Sequence, residues 1–282
     1  MMDLVIGIVV MAVFCGLSCL GGWQLSQRTS RTTSDLWLVS LGTFTLGYAF
    51  FVHGRLMLTQ WLPHSSVIVL GNWIPVGLAS VGGLLLGRDA IPAWRRAMVS
   101  TLAILVGVYA LCQPVMATPP SAADLWTADG ICLQSNRSSC SACAAATLLR
   151  HHGIPANEQE MMRLCLTGPR GTQQLGLYRG LKLKTQNTSF DVEAFHCDIQ
   201  SLRESTAWPV ILLVGLPANA DVDPRYTLDY GWAPGQGHTV VAYGFPRKHR
   251  IEIGDPSHGR ETWSTRDLRL LWQGIGLRLV KN

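Results

Sequence analysis

Four long apolar stretches fill most of the first 120 residues, and they limit the possible folds more than any other feature of the chain. They cover roughly residues 4–23, 36–52, 66–86 and 97–112, with no Asp, Glu, Lys or Arg inside any of them. Lipid offers a peptide group no hydrogen-bond partner, so a run of about 20 apolar residues is stable there as a helix that pairs its own N–H and C=O groups. An α-helical transmembrane bundle of four helices is therefore expected over residues 1–112. The second and fourth stretches are the shortest. Gating charges and proton relays require ionisable residues within a span, so the bundle reads as an anchor rather than a transporter. The first stretch reads as an uncleaved helix: Met1-Met2-Asp3 lacks a basic start, and further apolar segments follow Gly21-Gly22-Trp23. Pro75 and the Gly82-Gly83 pair are expected to serve helix packing.

The connecting loops set an orientation. Arg28 and Arg31 lie in the first loop and Arg88, Arg95 and Arg96 in the third, against Arg55 alone in the second. Basic residues concentrate on the cytoplasmic side, so both ends of the chain are expected outside, provided that all four segments cross. An odd number of crossings would put the C-terminal part in the cytoplasm.

Only 15% of the 282 residues are charged, against about 25% in a soluble domain, which supports a lipid-embedded portion. Six Arg face three acids before residue 124, and seventeen Lys and Arg face fifteen acids after it. Neither half carries the basic run that tracks phosphates, so no nucleic-acid partner is expected.

Residues 113–123 (QPVMATPPSAA) read as a linker, and 124–282 as a soluble domain of short alternating elements. Ser138 and Ser139 offer caps for a helix over 140–152, stopped by Gly153 and Pro155. Asn157 caps a second helix to about Leu166, and Thr172 opens a third through Leu181. Strands are expected at 208–214, 239–243 and 250–253. A last short helix starts at Ser264 or Thr265, and a closing strand covers 276–280. Helices first and hairpin-connected strands later argue for an α+β fold with an antiparallel sheet.

Cys140 stands at the start of the first of these helices. The free N–H groups there favour a negative charge, which suits a thiolate nucleophile. Its own N–H would bind a developing oxyanion, and the side-chain amide of Gln134 would supply a second donor. Gly235-Gln236-Gly237-His238 leads into the strand at 239–243. After a turn the chain returns through 250–253 to Asp255-Pro256, so a hairpin brings His238 near Asp255. A nucleophile, a base and a group orienting that base are the parts that covalent catalysis by a thiol requires.

At these residues the sequence resembles peptidase family C39, papain-like cysteine peptidases that cut peptide leaders after a double glycine. Gln134-x5-Cys140, the run Ala144 to Gly153 with its His151-His152 pair, Gly171-Thr172 before Leu175-Gly176-Leu177, Gly237-His238-Thr239-Val240-Val241 and Asp255-Pro256 occur in the family's order. The resemblance implies Cys140 as nucleophile, His238 as base, Asp255 as its orienting group and Gln134 at the oxyanion. It also implies a peptide or protein substrate, cleavage after Gly-Gly, and no cofactor. Where the family has an acid before the Cys and a Gly after it, this chain has Ser139 and Ser141. The segment 218–236, with Asp221, Asp223 and Asp229, reads as an expanded loop before the His. No Gly-rich phosphate loop is present, so no ATP is implied.

Two alternatives compete with this reading. Cys140-Ser141-Ala142-Cys143 has the spacing of a thiol–disulfide oxidoreductase, although the polar residues before it are not the expected strand. A non-catalytic peptide-binding module of the same fold is the other. Cys143, one turn into the helix, is expected to be buried. His196, His249 and His258 have no partners at metal spacing along the chain, so no metal is expected. Among Cys132, Cys143, Cys165 and Cys197, complete disulfide pairing has three connectivities, and the sequence does not choose among them.

Overall fold

The computed structural model of the chain describes residues 1–89, 91–218 and 223–282. Two compact units divide at the start of the Pro-rich segment, Met1–Met116 and Ala117–Asn282. Asp221 lies outside the described residues.

The first unit is built from α1 (Met2–Arg28), α2 (Arg31–Phe51), a broken segment of α3 (Val67–Leu70) and α4 (Ile74–Leu86), and α5 (Ala93–Cys112). Among the described residues, three segments are long and apolar enough to cross a membrane: Met2–Arg28, Val67–Leu86 and Ala93–Met116. The stretch expected at 36–52 forms α2. Its polar first turns, Arg31 to Asp35, leave it outside that set.

Helices α1 and α4 touch backbone to backbone. A Cβ at Gly83 would fall 2.0 Å from the Cys19 carbonyl oxygen, and one at Gly22 would fall 2.5 Å from that of Ser80. Small residues allow this approach where no hydrophobic force drives helices together. Gly82 makes no such contact. Pro75 sits in the first turn of α4, where its missing N–H has no partner to lose, so it starts the helix rather than kinking it.

The two ends of this unit differ in charge. Gln27 donates its side-chain amide to the Gly87 carbonyl at 2.9 Å, Arg88 pairs with Asp35, and Arg96 pairs with Asp89 at 3.0 Å. Arg28, Arg31, Arg88, Arg95 and Arg96 therefore gather at one end. At the other end the Tyr48 hydroxyl donates to the Gly71 carbonyl, just before α4. Helix α2 thus runs the length of the bundle.

The second unit is α+β. A two-stranded ribbon, β1 (Leu125–Trp126) and β2 (Cys132–Leu133), precedes α6 (Cys140–His151), α7 (Glu158–Leu164) and α8 (Gln174–Thr185). A six-stranded sheet follows: β3 (Phe190–His196), β4 (Val210–Gly215), β5 (Gly237–Arg247), β6 (Arg250–Asp255), β7 (Gly259–Ser264) and β8 (Trp272–Lys281). Its order is β3-β8-β4-β5-β6-β7, with every neighbouring pair antiparallel. Three short helices lie among the strands: α9 (Ile199–Glu204), α10 (Arg225–Leu228) and α11 (Thr265–Leu271).

Helix α6 is buried along nearly its whole length, from Cys140 to Leu149. Its run of Cys, Ser and Ala lets α7, α8 and the sheet approach from all sides. Strand β4 is a continuous apolar run because both of its faces are covered. The other side of the sheet packs on Trp263, Trp272, Leu268, Leu271, Tyr226 and Trp232. Removing a Val or Leu side chain from water contributes about 1.5–3 kcal/mol, so this central sheet is the rigid part of the domain.

Several boundaries differ from the sequence reading. The third helix begins at Gln174, because Thr172 instead pairs its hydroxyl with that of Thr167 at 2.6 Å. Helix α7 ends before Leu166, which takes a φ of +56°. Strands β3 and β7 and helix α9 carried no clear period. The last strand begins at Trp272, four residues early.

Candidate active site

Each candidate residue is held at the end of an element. Cys140 opens α6, and His238 is the second residue of β5, where it pairs with Val214 of β4. In the β5–β6 ladder Val241 faces Gly254. Continuing that register puts Asp255 across from Val240, on the same sheet face as His238 two residues further along. Gln134 follows β2, and its backbone N–H donates to the Pro256 carbonyl at 2.8 Å. The turn after β6 thereby fixes the strand that carries Gln134.

The sequence expected Ser138 and Ser139 to cap α6 with their side chains, and they do not. Ser139 is the N-cap residue, but its hydroxyl donates back to the Asn136 carbonyl at 3.0 Å. The Ser138 hydroxyl donates to Asn136 Oδ1 at 2.7 Å. Helix capping and anion binding compete for the same N–H groups. With the hydroxyls turned away, the Cys140 N–H has no acceptor among the described residues.

His238 Nε2 meets Asp255 Oδ1 at 2.7 Å, which leaves Nδ1 free of Asp255, and His238 shares the lining of one cleft with Cys140. Asp255 is fully buried. Its Oδ1 also accepts from the Ser257 N–H and hydroxyl, each at 2.8 Å, and its Oδ2 from Trp232 Nε1 at 3.1 Å. The Trp232 ring lies 4.3 Å from that of His238 and shields the pair from water. Ser141, beside the thiol, pairs its hydroxyl with Thr239, beside the imidazole, at 2.8 Å. That buried contact ties α6 to β5 next to the two reacting groups.

The electrostatics favour an ion pair. Burial by itself would raise the Cys140 thiol, but the positive His238, its hydrogen bond and the Ser141 contacts bring it below its ordinary value. Burial opposes charge on His238 as well. The Asp255 and Cys140 charges and their hydrogen bonds outweigh that effect and raise the imidazole to about 10. Asp255 is likewise opposed by burial, yet His238 and Ser257 hold it below the usual carboxylate range.

The site opens on a cleft of about 750 Å³ lined by Gln134, Cys140, Trp232 and His238, with Arg137 and Arg170 at its walls and no Asp or Glu in its lining among the described residues. Gln134 Oε1 is buried without a partner among the described residues. Gln134 and Cys140 share the lining of this cleft.

Sequence reasoning missed several neighbours. Trp232 and Tyr230 arrive through the loop before β5, a loop whose only sequence signal was its acidic residues. Tyr230 stacks on His258 with ring centroids 3.6 Å apart. His258, expected to have no partners at metal spacing, lies with Asp255 and Glu261 in one cluster. Its Nδ1 is 3.7 Å from Asp255 Oδ2 and its Nε2 is 3.9 Å from Glu261 Oε1. The β6–β7 turn brings these i, i+3, i+6 residues together, and their ligand atoms lie within 4.8 Å of one another. The two Asp255 oxygens are already engaged by four donors, and Arg225 lies 3.6 Å from Glu261. Both His258 ring nitrogens and Glu261 Oε2 are buried without a hydrogen-bond partner among the described residues. Burial, with Asp255 repelling it, raises Glu261 to about 7 despite bonds from Trp263 and Tyr230.

Cys143 is fully buried, and contacts with Cys132 and Glu158 together with burial push its thiol far up.

Residues 129–222 match the sequence model of the Peptidase C39 family, whose members are cysteine peptidases. The matched segment includes Gln134 and Cys140 and stops before His238. A search of curated proteins finds no significant match. Among solved structures, the chain is similar to the peptidase domain of Streptococcus ComA, a bi-functional ABC transporter involved in a quorum sensing pathway. Identity is 19% over 53% of this chain and 96% of that one, with a TM-score of 0.42. A double glycine motif protease from an AMS/PCAT transporter, solved with its leader peptide, is 16% identical over 59% of this chain and 97% of its own, with a TM-score of 0.42. The family match over 129–222 covers the Gln134 and Cys140 part of the motif order read along the chain, so this segment is similar to the Peptidase C39 family.

Proposed function

We propose that the chain is a membrane-anchored cysteine endopeptidase. The observation that carries this reading is the buried His238–Asp255 bond, aimed through the imidazole at a thiol on an uncapped helix start. The Cys140 thiolate attacks the substrate carbonyl carbon. The Cys140 N–H and the Gln134 amide donate to the oxyanion as the tetrahedral intermediate forms. Protonated His238 gives its proton to the leaving amine, the C–N bond breaks, and an acyl-thioester remains. His238 then takes a proton from water, the hydroxide adds to the thioester, and the acid product leaves as the thiol returns. Asp255 keeps the imidazole oriented throughout and favours its protonated form before and after it delivers its proton.

The substrate is a peptide or protein segment, and cleavage after Gly-Gly is carried over from the family. Arg137 and Arg170 in the cleft wall favour acidic residues near the cut. The peptidase domain is assigned to the outer side of the membrane. Two features of the first unit support this: five arginines at one end, and α2 returning along the bundle with Leu36, Phe44, Phe50 and Phe51 exposed on its surface. The burial of Cys143 and the height of its thiol pKa argue against a Cys140/Cys143 redox pair.

The test is cleavage of a peptide library by the detergent-purified chain. Wild type should cut, Cys140→Ala should not, and Gln134→Ala should lose about 10²–10³ in kcat through one oxyanion donor. Alkylation of Cys140 by iodoacetamide, which forms no oxyanion, should be unchanged in Gln134→Ala. Cleavage that survives Cys140→Ala would end the peptidase reading.

A further inference from the structure

We propose that Cys132 and Cys143 form a disulfide, closing a covalent ring that contains both Gln134 and Cys140. Both residues are fully buried and are free thiols in this structure, and Cys132 acts on the Cys143 thiol where β2 packs on α6. The backbone supports the same juxtaposition. The Cys132 N–H donates to Thr147 Oγ1 at 2.9 Å, and Thr147 lies one helical turn beyond Cys143 on the same face of α6. The other cysteines of the domain point elsewhere. Cys165 packs against Gly180 of α8, the Cys197 N–H donates to Gly274 at 2.9 Å, and the Cys140 thiol faces His238.

The third group beside Cys143 is Glu158. Its carboxylate is already held by the Ser135 N–H at 2.8 Å and the Ser135 hydroxyl at 2.5 Å. A two-thiol bridge therefore fits this spot better than a three-ligand metal site.

The oxidant is a small or protein disulfide of an oxidising compartment, so the inference rests on the extracytoplasmic reading. One protein thiolate attacks a donor sulfur, forming a mixed disulfide and releasing one donor thiol. The second protein thiol, on losing its proton, displaces the remaining donor sulfur. Two protein thiols become one S–S bond, the donor S–S bond becomes two thiols, and the two protons pass to the donor. Because both cysteines are inaccessible in the folded domain, exchange precedes the docking of β2 on α6. The closed ring then holds the Gln134 oxyanion donor at a fixed distance from the nucleophile.

The experiment uses the full chain, acid-quenched from membranes, denatured, alkylated and mapped by mass spectrometry without reduction. The expected result is a Cys132-to-Cys143 linked peptide, lighter by two hydrogens, with Cys140 recovered as a single alkylated residue. Reductant should open the link only when denaturant is added. Alkylation of both Cys132 and Cys143, or a link from either to another cysteine, overturns the proposal. A C-terminal alkaline phosphatase fusion, active only outside, separates the readings. Free thiols with an active fusion overturn the disulfide alone, and free thiols with an inactive fusion overturn the compartment assignment with it. Whether Cys140 is reactive in the native protein is read separately and bears on the peptidase reading only.

Discussion

Replacing Asp255 with Asn removes one buried charge while keeping the size of the side chain, and the structure gives the consequence for His238. The imidazole stands at about 10 against an ordinary 6.5. That rise corresponds to about 5 kcal/mol in favour of the imidazolium, at about 1.4 kcal/mol per pH unit. Burial works against the charge, and Asp255 is the larger of the two charges that sustain it. Losing Asp255 should therefore lower the titration of His238 by about 2 pH units, an order-of-magnitude figure. The Asn oxygen still accepts from His238 and Ser257, but its NH₂ faces Trp232 Nε1, donor against donor. That unpaired N–H adds a stability loss of about 1–3 kcal/mol.

The assay is the pH dependence of Cys140 alkylation by iodoacetate relative to neutral iodoacetamide. A protonated His238 attracts the anionic reagent, so the ratio falls as the imidazole loses its proton. Wild type should show this fall near pH 10 and Asp255→Asn near pH 8. The acid limb should move upward in the variant, because a weaker imidazolium stabilises the thiolate less. An unchanged alkaline limb in Asp255→Asn would refute the assignment of Asp255 as the group that keeps His238 charged.

Two other outcomes follow from the same geometry. Glu261 has a folded pKa raised from 4.5 to about 7, so its contribution to stability is present below 4.5 and is lost as pH rises through 7. Glu261→Gln should flatten the decline between pH 4.5 and 7.5 by up to about 3 kcal/mol, seen as a smaller difference in Tm between pH 5 and pH 8. A variant with the wild-type slope would disprove this. Thr239→Val leaves the Ser141 hydroxyl unpaired in a buried site and should destabilise by about 1–3 kcal/mol while slowing Cys140 alkylation. Adding Ser141→Ala should recover most of both losses, measured as a double-mutant cycle; additive losses would mean that the hydroxyl pair does not hold α6 to β5.

The features legible in the sequence are those that local chemistry dictates. Apolar runs without charge specify helices in the first unit, because backbone groups in such surroundings must pair internally. Asn157 and Ser264 accept the N–H bonds expected of helix caps. Continuous or alternating apolar runs mark β4, β5 and β6, because burial on one face or both imposes those patterns. The spacing of His238 and Asp255 across a hairpin was readable because an antiparallel pair with a short turn has few registers.

What the sequence left open depends on contacts between segments far apart along the chain. Strand β3 pairs with β8 at the sheet edge, and its half-exposed side chains carry no distinctive period. The turning of Ser138 and Ser139 toward Asn136 is a choice between two acceptors that a capping pattern does not resolve. Trp232 over His238, the second histidine on Asp255, and Cys132 against Cys143 all arise where loops or the β2 ribbon fold onto the sheet and α6. The residues on this sequence set the chemistry available. The packing of β2, the loop before β5 and the β6–β7 turn around α6 decided which groups meet in a dry site, because side-chain contact depends on three-dimensional distance and not on spacing along the chain.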